Sequence, residues 1–135
     1  MRADAKETNM KWKILIVDDS NVVKAVLMKA LGESGAPIQR VFDASNGKEA
    51  LDTLRNESID LVFADINMPV MNGVELVERM ADDPALKNIP IIMVSTDGSV
   101  SRKEYLQSKG VRAYVRKPFT PEQIRAVVRE VMLGR

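Results

Sequence analysis

Neither cysteine nor histidine occurs anywhere in the 135 residues. Without cysteine there is no disulfide framework and no thiolate metal site. Without histidine, His-ligated zinc, Ser–His triads and imidazole general bases are excluded as well. Any chemistry therefore falls to carboxylates, hydroxyls, amines and a bound ion. Long apolar runs are also missing: none approaches the roughly 20 residues that cross a bilayer. An excess of one charge is missing too. The 20 basic and 19 acidic residues leave a net charge of +1, so no general electrostatic case exists for a nucleic-acid or membrane partner. The first ten residues, MRADAKETNM, are polar and lack the apolar segment of a signal peptide. They are expected to form a flexible tail over 1–10, ahead of one domain over 11–135, with a cytoplasmic location as the default.

What is present is enough apolar material, 45% of the chain, for one ordinary domain. Four runs have the continuous apolar character of strands covered on both faces: Ile14–Val17, Asp60–Ala64, Ile91–Val94 and Val111–Val115. A fifth, Ile38–Phe42, is more polar. Between them, apolar residues recur at helical spacing: Val23, Val26, Leu27, Ala30 and Leu31; then Ala50, Leu51 and Leu54; then Val74, Val77 and Met80; finally Ile124, Val127, Val128 and Val131. A helix with a thin apolar stripe is expected between Ser99 and Lys109. Ser20, Asn46 and Thr120-Pro121 suit helix starts, and Gly35 and Gly110 suit helix stops. Five β-α units in alternation predict an α/β fold, a doubly wound five-stranded parallel sheet with helices on both faces. Ligands in such folds bind beyond the carboxyl ends of the strands.

The residues at those ends are unusual as a set. The first strand ends in Asp18-Asp19, the third in Asp65, the fourth in Ser95-Thr96 and the fifth in Lys117-Pro118. Taken singly, each is an ordinary loop acid, cap or surface charge. They come from four separate units, however, and share one topological position. Clustered carboxylates repel and call for a compensating cation. An oxygen-only donor set with open positions suits Mg²⁺. Lys117 brings a compact positive charge and Ser95 a hydroxyl donor. These are the parts of a phosphoryl-transfer site, in which an aspartate can itself be the nucleophile.

Val17-Asp18-Asp19-Ser20, Asp65-Ile66-Asn67-Met68-Pro69-Val70-Met71-Asn72-Gly73, Val94-Ser95 and Lys117-Pro118-Phe119-Thr120 together resemble the receiver domain of two-component response regulators. The resemblance covers residues 11 to 134. It implies the flavodoxin-like strand order 2-1-3-4-5. It implies Asp65 as phosphoacceptor, with Mg²⁺ held by Asp19, Asp65 and the backbone carbonyl of Asn67, and with Asp18 acting mainly through water. It implies that Lys117 and Ser95 contact the phosphoryl group, that Tyr114 changes rotamer with Ser95, and that Pro118 shapes the turn after Lys117. The surface expected to change comprises the fourth helix, fifth strand and fifth helix, with Tyr105, Arg112 and Tyr114 on it. Thr96 stands where the family has a smaller residue, so its bulk is expected to narrow access. Asn67 and Asp97 flank the site and bear on the lifetime of the modification.

The implied partners are a histidine kinase or phosphotransfer domain as donor, with a flagellar motor switch protein or a phosphatase on the output side. A monomer is expected, with neither nucleic acid nor membrane as a partner. The implied role is chemotaxis. A shuttle or modulator in another two-component pathway, or a receiver-like module that is never phosphorylated, is the alternative. An aspartyl-nucleophile phosphatase needs a second Asp two positions after the first; Asn67 stands there, so no turnover of outside substrates is expected beyond self-phosphorylation and slow self-dephosphorylation. A flavin carrier needs a phosphate-binding loop after the first strand, where Asp18-Asp19 would repel the phosphate. No nucleotide-binding P-loop is present.

Overall fold

The computed structural model describes residues 11–134. The tail expected over 1–10 lies outside the described residues, as does Arg135. The chain alternates β1 (Trp12–Val17), α1 (Asn21–Gly32), β2 (Ile38–Ala44), α2 (Gly47–Asn56), β3 (Leu61–Ala64), α3 (Gly73–Ala81), β4 (Ile91–Ser95), α4 (Val100–Ser108), β5 (Val111–Arg116) and α5 (Pro121–Val128). A π-helical turn, Arg129–Gly134, continues α5. The strands form one parallel sheet in the order β2-β1-β3-β4-β5, as expected.

Strand periodicity sorts the core into two layers. Along β1, Leu15 and Val17 face one way and join Val62 and Ala64 of β3, the inner faces of α2 and α3, and Leu106 of α4. Ile14 and Ile16 face the other way and join Leu61 and Phe63, Leu27 and Leu31 of α1, and Ile124 and Val128 of α5. Both faces of β3 are therefore buried, which is why its sequence is apolar without alternation. No described helix is long and apolar enough to cross a membrane.

Side chains fix the helix starts. Ser20, Asn46, Asn72, Ser99 and Thr120 accept from the N–H three residues on, and Thr120 closes a capping box with Gln123. Gly35 and Gly110 take φ of 82° and 107°, which ordinary side chains resist.

Three expectations shift. β2 runs on to Ala44; as an edge strand it leaves Gln39, Arg40 and Asp43 exposed, which hides its length from an apolar count. In α1, Val26 is 46% exposed and Lys24 is buried instead. The Lys24 ammonium bonds Asp43 (2.9 Å) and Ser45 (3.3 Å) at the end of β2, so its stem lies in the core while its charge is paired. Past α5, in the π-helical turn, Met132 is buried as well, while Val131 packs half-buried against the same cluster.

Candidate functional site

Parallel register brings the strand ends to one corner. Val17 pairs with Ala64, so Asp18 and Asp65 follow side by side, and the Asp65 N–H donates to Val17 C=O at 3.0 Å. Ser95 pairs with Arg116, and the Lys117 N–H donates to Ser95 C=O at 2.9 Å. Gly73 lets α3 begin directly against the third strand: a Cβ there would stand 2.0 Å from the Asp65 carbonyl oxygen.

Asp18, Asp19 and Asp65 each bring a carboxylate oxygen within 4.8 Å of the others. Asp18 and Asp65 are buried; Asp19 is exposed. The Lys117 Nζ reaches in from β5, 2.9 Å from Asp18 Oδ2 and 3.2 Å from Asp65 Oδ2. Asp18 Oδ1 accepts from the Ser20 N–H at 2.9 Å and Asp65 Oδ1 from the Ile66 N–H at 2.7 Å. Partial burial works against the Lys117 charge, but the hydrogen bonds and charges of Asp18 and Asp65 outweigh it and raise its pKa above the ordinary lysine value. One ammonium still leaves three carboxylates undercompensated. A hard divalent cation with open coordination positions fits that donor set, Asp19 offering the least committed oxygens.

Ser95 is fully buried beside this corner, and its Oγ accepts from the Asp97 N–H at 3.2 Å. The Tyr114 hydroxyl donates to the Asp97 carbonyl at 2.7 Å, and Lys103 Nζ lies 6.0 Å from the centre of the Tyr114 ring. Thr96 and Asn67 are exposed on their loops. The Lys117–Pro118 peptide is cis. Tyr105 is exposed on α4, and its hydroxyl donates to Glu78, tying α4 to α3.

Burial raises the Tyr114 phenol above its ordinary 10.0, and the Glu78 hydrogen bond does the same for Tyr105. These are the two tyrosines of the chain. Folding favours the neutral phenols, so their contribution to stability is full below pH 10.0 and is lost as pH climbs through the raised folded values. Phenolate absorbance of the native protein is expected to develop at higher pH than that of the urea-unfolded chain, and Glu78→Gln to bring one of the two transitions back down. Coincident native and unfolded curves would contradict this.

The loop after Asp65 holds a feature that sequence reasoning missed. Val70 has φ of 68° and is 76% exposed. The Met71 N–H donates to the Pro69 carbonyl at 2.7 Å, closing a γ-turn around a β-branched residue. Such a conformation costs about 1–3 kcal/mol. Val70→Gly is expected to raise stability by about 1 kcal/mol after the greater chain entropy of glycine is offset. The urea midpoint checks this; a lower midpoint would show that the turn is not strained.

The profile of the response regulator receiver domain family matches residues 14–129. Chemotaxis protein CheY1 of Helicobacter pylori is 37% identical over 123 residues, covering 90% of this chain and 97% of the relative. A chemotaxis protein CheY homolog of Campylobacter jejuni is 36% identical over 121 residues, covering 89% and 92%. Among solved structures, the chemotaxis response regulator CheY4 of Vibrio cholerae superposes with a TM-score of 0.80 at 31% identity, covering 90% of this chain and 99% of that one.

Proposed function

Because the chain belongs to the response regulator receiver family, we propose that it takes a phosphoryl group onto Asp65 from a histidine kinase or phosphotransfer domain and signals, in chemotaxis, through a changed protein-binding surface. The observation that carries this reading is the reach of Lys117 Nζ to both Asp18 (2.9 Å) and Asp65 (3.2 Å) at the edge of a three-carboxylate cluster. Chemotaxis rests on the names of the relatives.

The residues divide the work. An Asp65 oxygen attacks phosphorus, the bond from phosphorus to the donor nitrogen breaks, and the donor imidazole leaves with its electron pair. Lys117 sits where it stabilises first the Asp65 carboxylate and then an oxygen of the phosphoryl group. Ser95 Oγ accepts from the Asp97 N–H, and on modification its hydroxyl would turn its hydrogen to a second phosphoryl oxygen. A bound Mg²⁺, held by Asp19, Asp65 and the Asn67 carbonyl, would neutralise charge developing on the transferred group. Phosphorylation adds about −1.5 to −2 of charge. Only in that state do Ser95 and Lys117 gain these partners, which gives the modified protein a reason to rearrange.

On the donor side, α1 follows its cap Ser20, directly after Asp18 and Asp19. It exposes Val22 (73%) and Val26 (46%), one turn apart. An apolar strip beside the acceptor suits the helical face of a donor domain. On the output side, the flagellar motor switch or a phosphatase fits a receiver whose relatives are named for chemotaxis. Incubation with acetyl phosphate and Mg²⁺ is expected to add the mass of one phosphoryl group, and chelation of the divalent ion to prevent the gain. No gain with Mg²⁺ present would refute the acceptor role.

A further inference from the structure

Asp97 lies two residues beyond Ser95, on the loop joining β4 to α4, and both its main-chain groups and its carboxylate are engaged. Its N–H donates to Ser95 Oγ (3.2 Å), and its C=O accepts from the Tyr114 hydroxyl (2.7 Å). Its Oδ1 accepts from the Ser99 N–H (2.8 Å), and its Oδ2 takes the Arg102 guanidinium at 2.5 Å. The first two bonds reach the acceptor corner and β5. The last two reach the first turn of α4, where the Ser99 hydroxyl also accepts from the Arg102 N–H. The Asp97 side chain is 17% exposed and that of Arg102 45%, so the pair is partly shielded from water. Arg116 flanks the same loop; a Cβ on Gly98 would meet its guanidinium at 2.7 Å.

Taking Asp65 as the acceptor, we propose that Arg102 is a positioning residue for the acceptor site: through Asp97 it fixes where Ser95 holds its hydroxyl, and so how firmly a phosphoryl group on Asp65 is bound. The chain of contacts is short. The guanidinium holds the Asp97 carboxylate against the start of α4, which holds the Asp97 main chain. The main-chain N–H in turn donates to Ser95 Oγ and so sets where that hydroxyl lies. A loop released at Arg102 loses that orientation, and the hydroxyl must be ordered again when the phosphoryl group arrives.

The experiment has two arms. Beryllofluoride with Mg²⁺ serves as phosphoryl stand-in for the wild type, Arg102→Ala, Arg102→Lys, Asp97→Asn and the double variant Arg102→Ala/Asp97→Asn. Arg102→Ala is expected to weaken affinity about threefold to fivefold, the scale of a partly exposed ion pair. The double variant should lose no more than the worse single one, because both break one contact, and Arg102→Lys should recover part of the loss. The second arm is amide hydrogen exchange without ion or analogue. Residues 96–99 should exchange faster in Arg102→Ala, with β1 and β3 unchanged. Equal affinities, additive losses, or faster exchange spread evenly over the sheet would each overturn the inference. A wild type that fails to bind beryllofluoride would instead bring down the acceptor reading on which it rests.

Discussion

Asp65→Asn is expected to keep its unmodified mass under conditions in which the wild type gains one phosphoryl group from acetyl phosphate. A carboxamide oxygen is neutral and cannot replace a carboxylate as nucleophile. The neighbouring acids are poor substitutes. The Asp18 side chain is 2% exposed against 10% for Asp65, so a phosphodonor reaches it less readily. Asp19 is exposed and contacts neither Lys117 nor a backbone N–H that would hold it as a nucleophile among the described hydrogen bonds. The loss should therefore be complete by intact mass, and retention of the full gain would move the acceptor to another residue.

The same variant separates chemistry from folding. Asn can still accept the Ile66 N–H bond that Asp65 Oδ1 takes at 2.7 Å. Three carboxylates within 4.8 Å face one ammonium, so removing a negative charge relieves repulsion. Two repulsions are relieved while the Lys117 attraction at 3.2 Å is lost, so in a well-hydrated setting the net relief is about 0.5 kcal/mol. Asp65→Asn should thus be slightly more stable than the wild type without divalent ions, and should gain less from Mg²⁺. A variant that is both unreactive and destabilised would indicate damage to the fold rather than removal of a nucleophile.

That corner was legible in the sequence because topology does the gathering. Once β1, β3, β4 and β5 are recognised as parallel neighbours, Asp18, Asp65, Ser95 and Lys117 must share an edge, whatever lies between them. β3 was easy for a related reason: a strand buried on both faces has to be apolar throughout, as Leu61–Ala64 is. What escaped depends on contacts that periodicity does not encode. Lys24 counts as a surface residue in any apolar stripe, and its burial makes sense only with Asp43, 19 residues away. Met132 joins the core four residues after Val128, with Val131 half-buried beside it. The strained backbone of Val70 and the four-way bonding of Asp97 are properties of loop geometry, set by where the flanking elements end. The Tyr105 hydroxyl's bond to Glu78 on α3 is likewise a contact between helices that spacing along α4 does not encode.

Lys117→Ala is expected to have the largest effect on stability and to separate modification from signalling. The Lys117 side chain is 16% exposed, and its partners Asp18 and Asp65 are 2% and 10% exposed. Removing one partner of a buried pair leaves uncompensated charge and costs about 3–5 kcal/mol. Asp19 opens this site to water, so a loss of roughly 3 kcal/mol is expected without divalent ions. Mg²⁺ should restore much of it, because the carboxylates stay in place and no longer have an ammonium competing for their oxygens. The urea midpoint of Lys117→Ala should therefore rise more steeply with Mg²⁺ concentration than that of the wild type. Metal affinity should rise and Asp65 should remain modifiable, but the phosphoryl group would lack the contact that ties it to β5. In the wild type, beryllofluoride should alter amide exchange along α4, β5 and α5; in Lys117→Ala that response should be absent although the analogue still binds. A variant with the wild-type Mg²⁺ dependence would mean that Lys117 does not balance the acids. An undiminished exchange response would mean that the signal leaves the site by Ser95 and Asp97 alone.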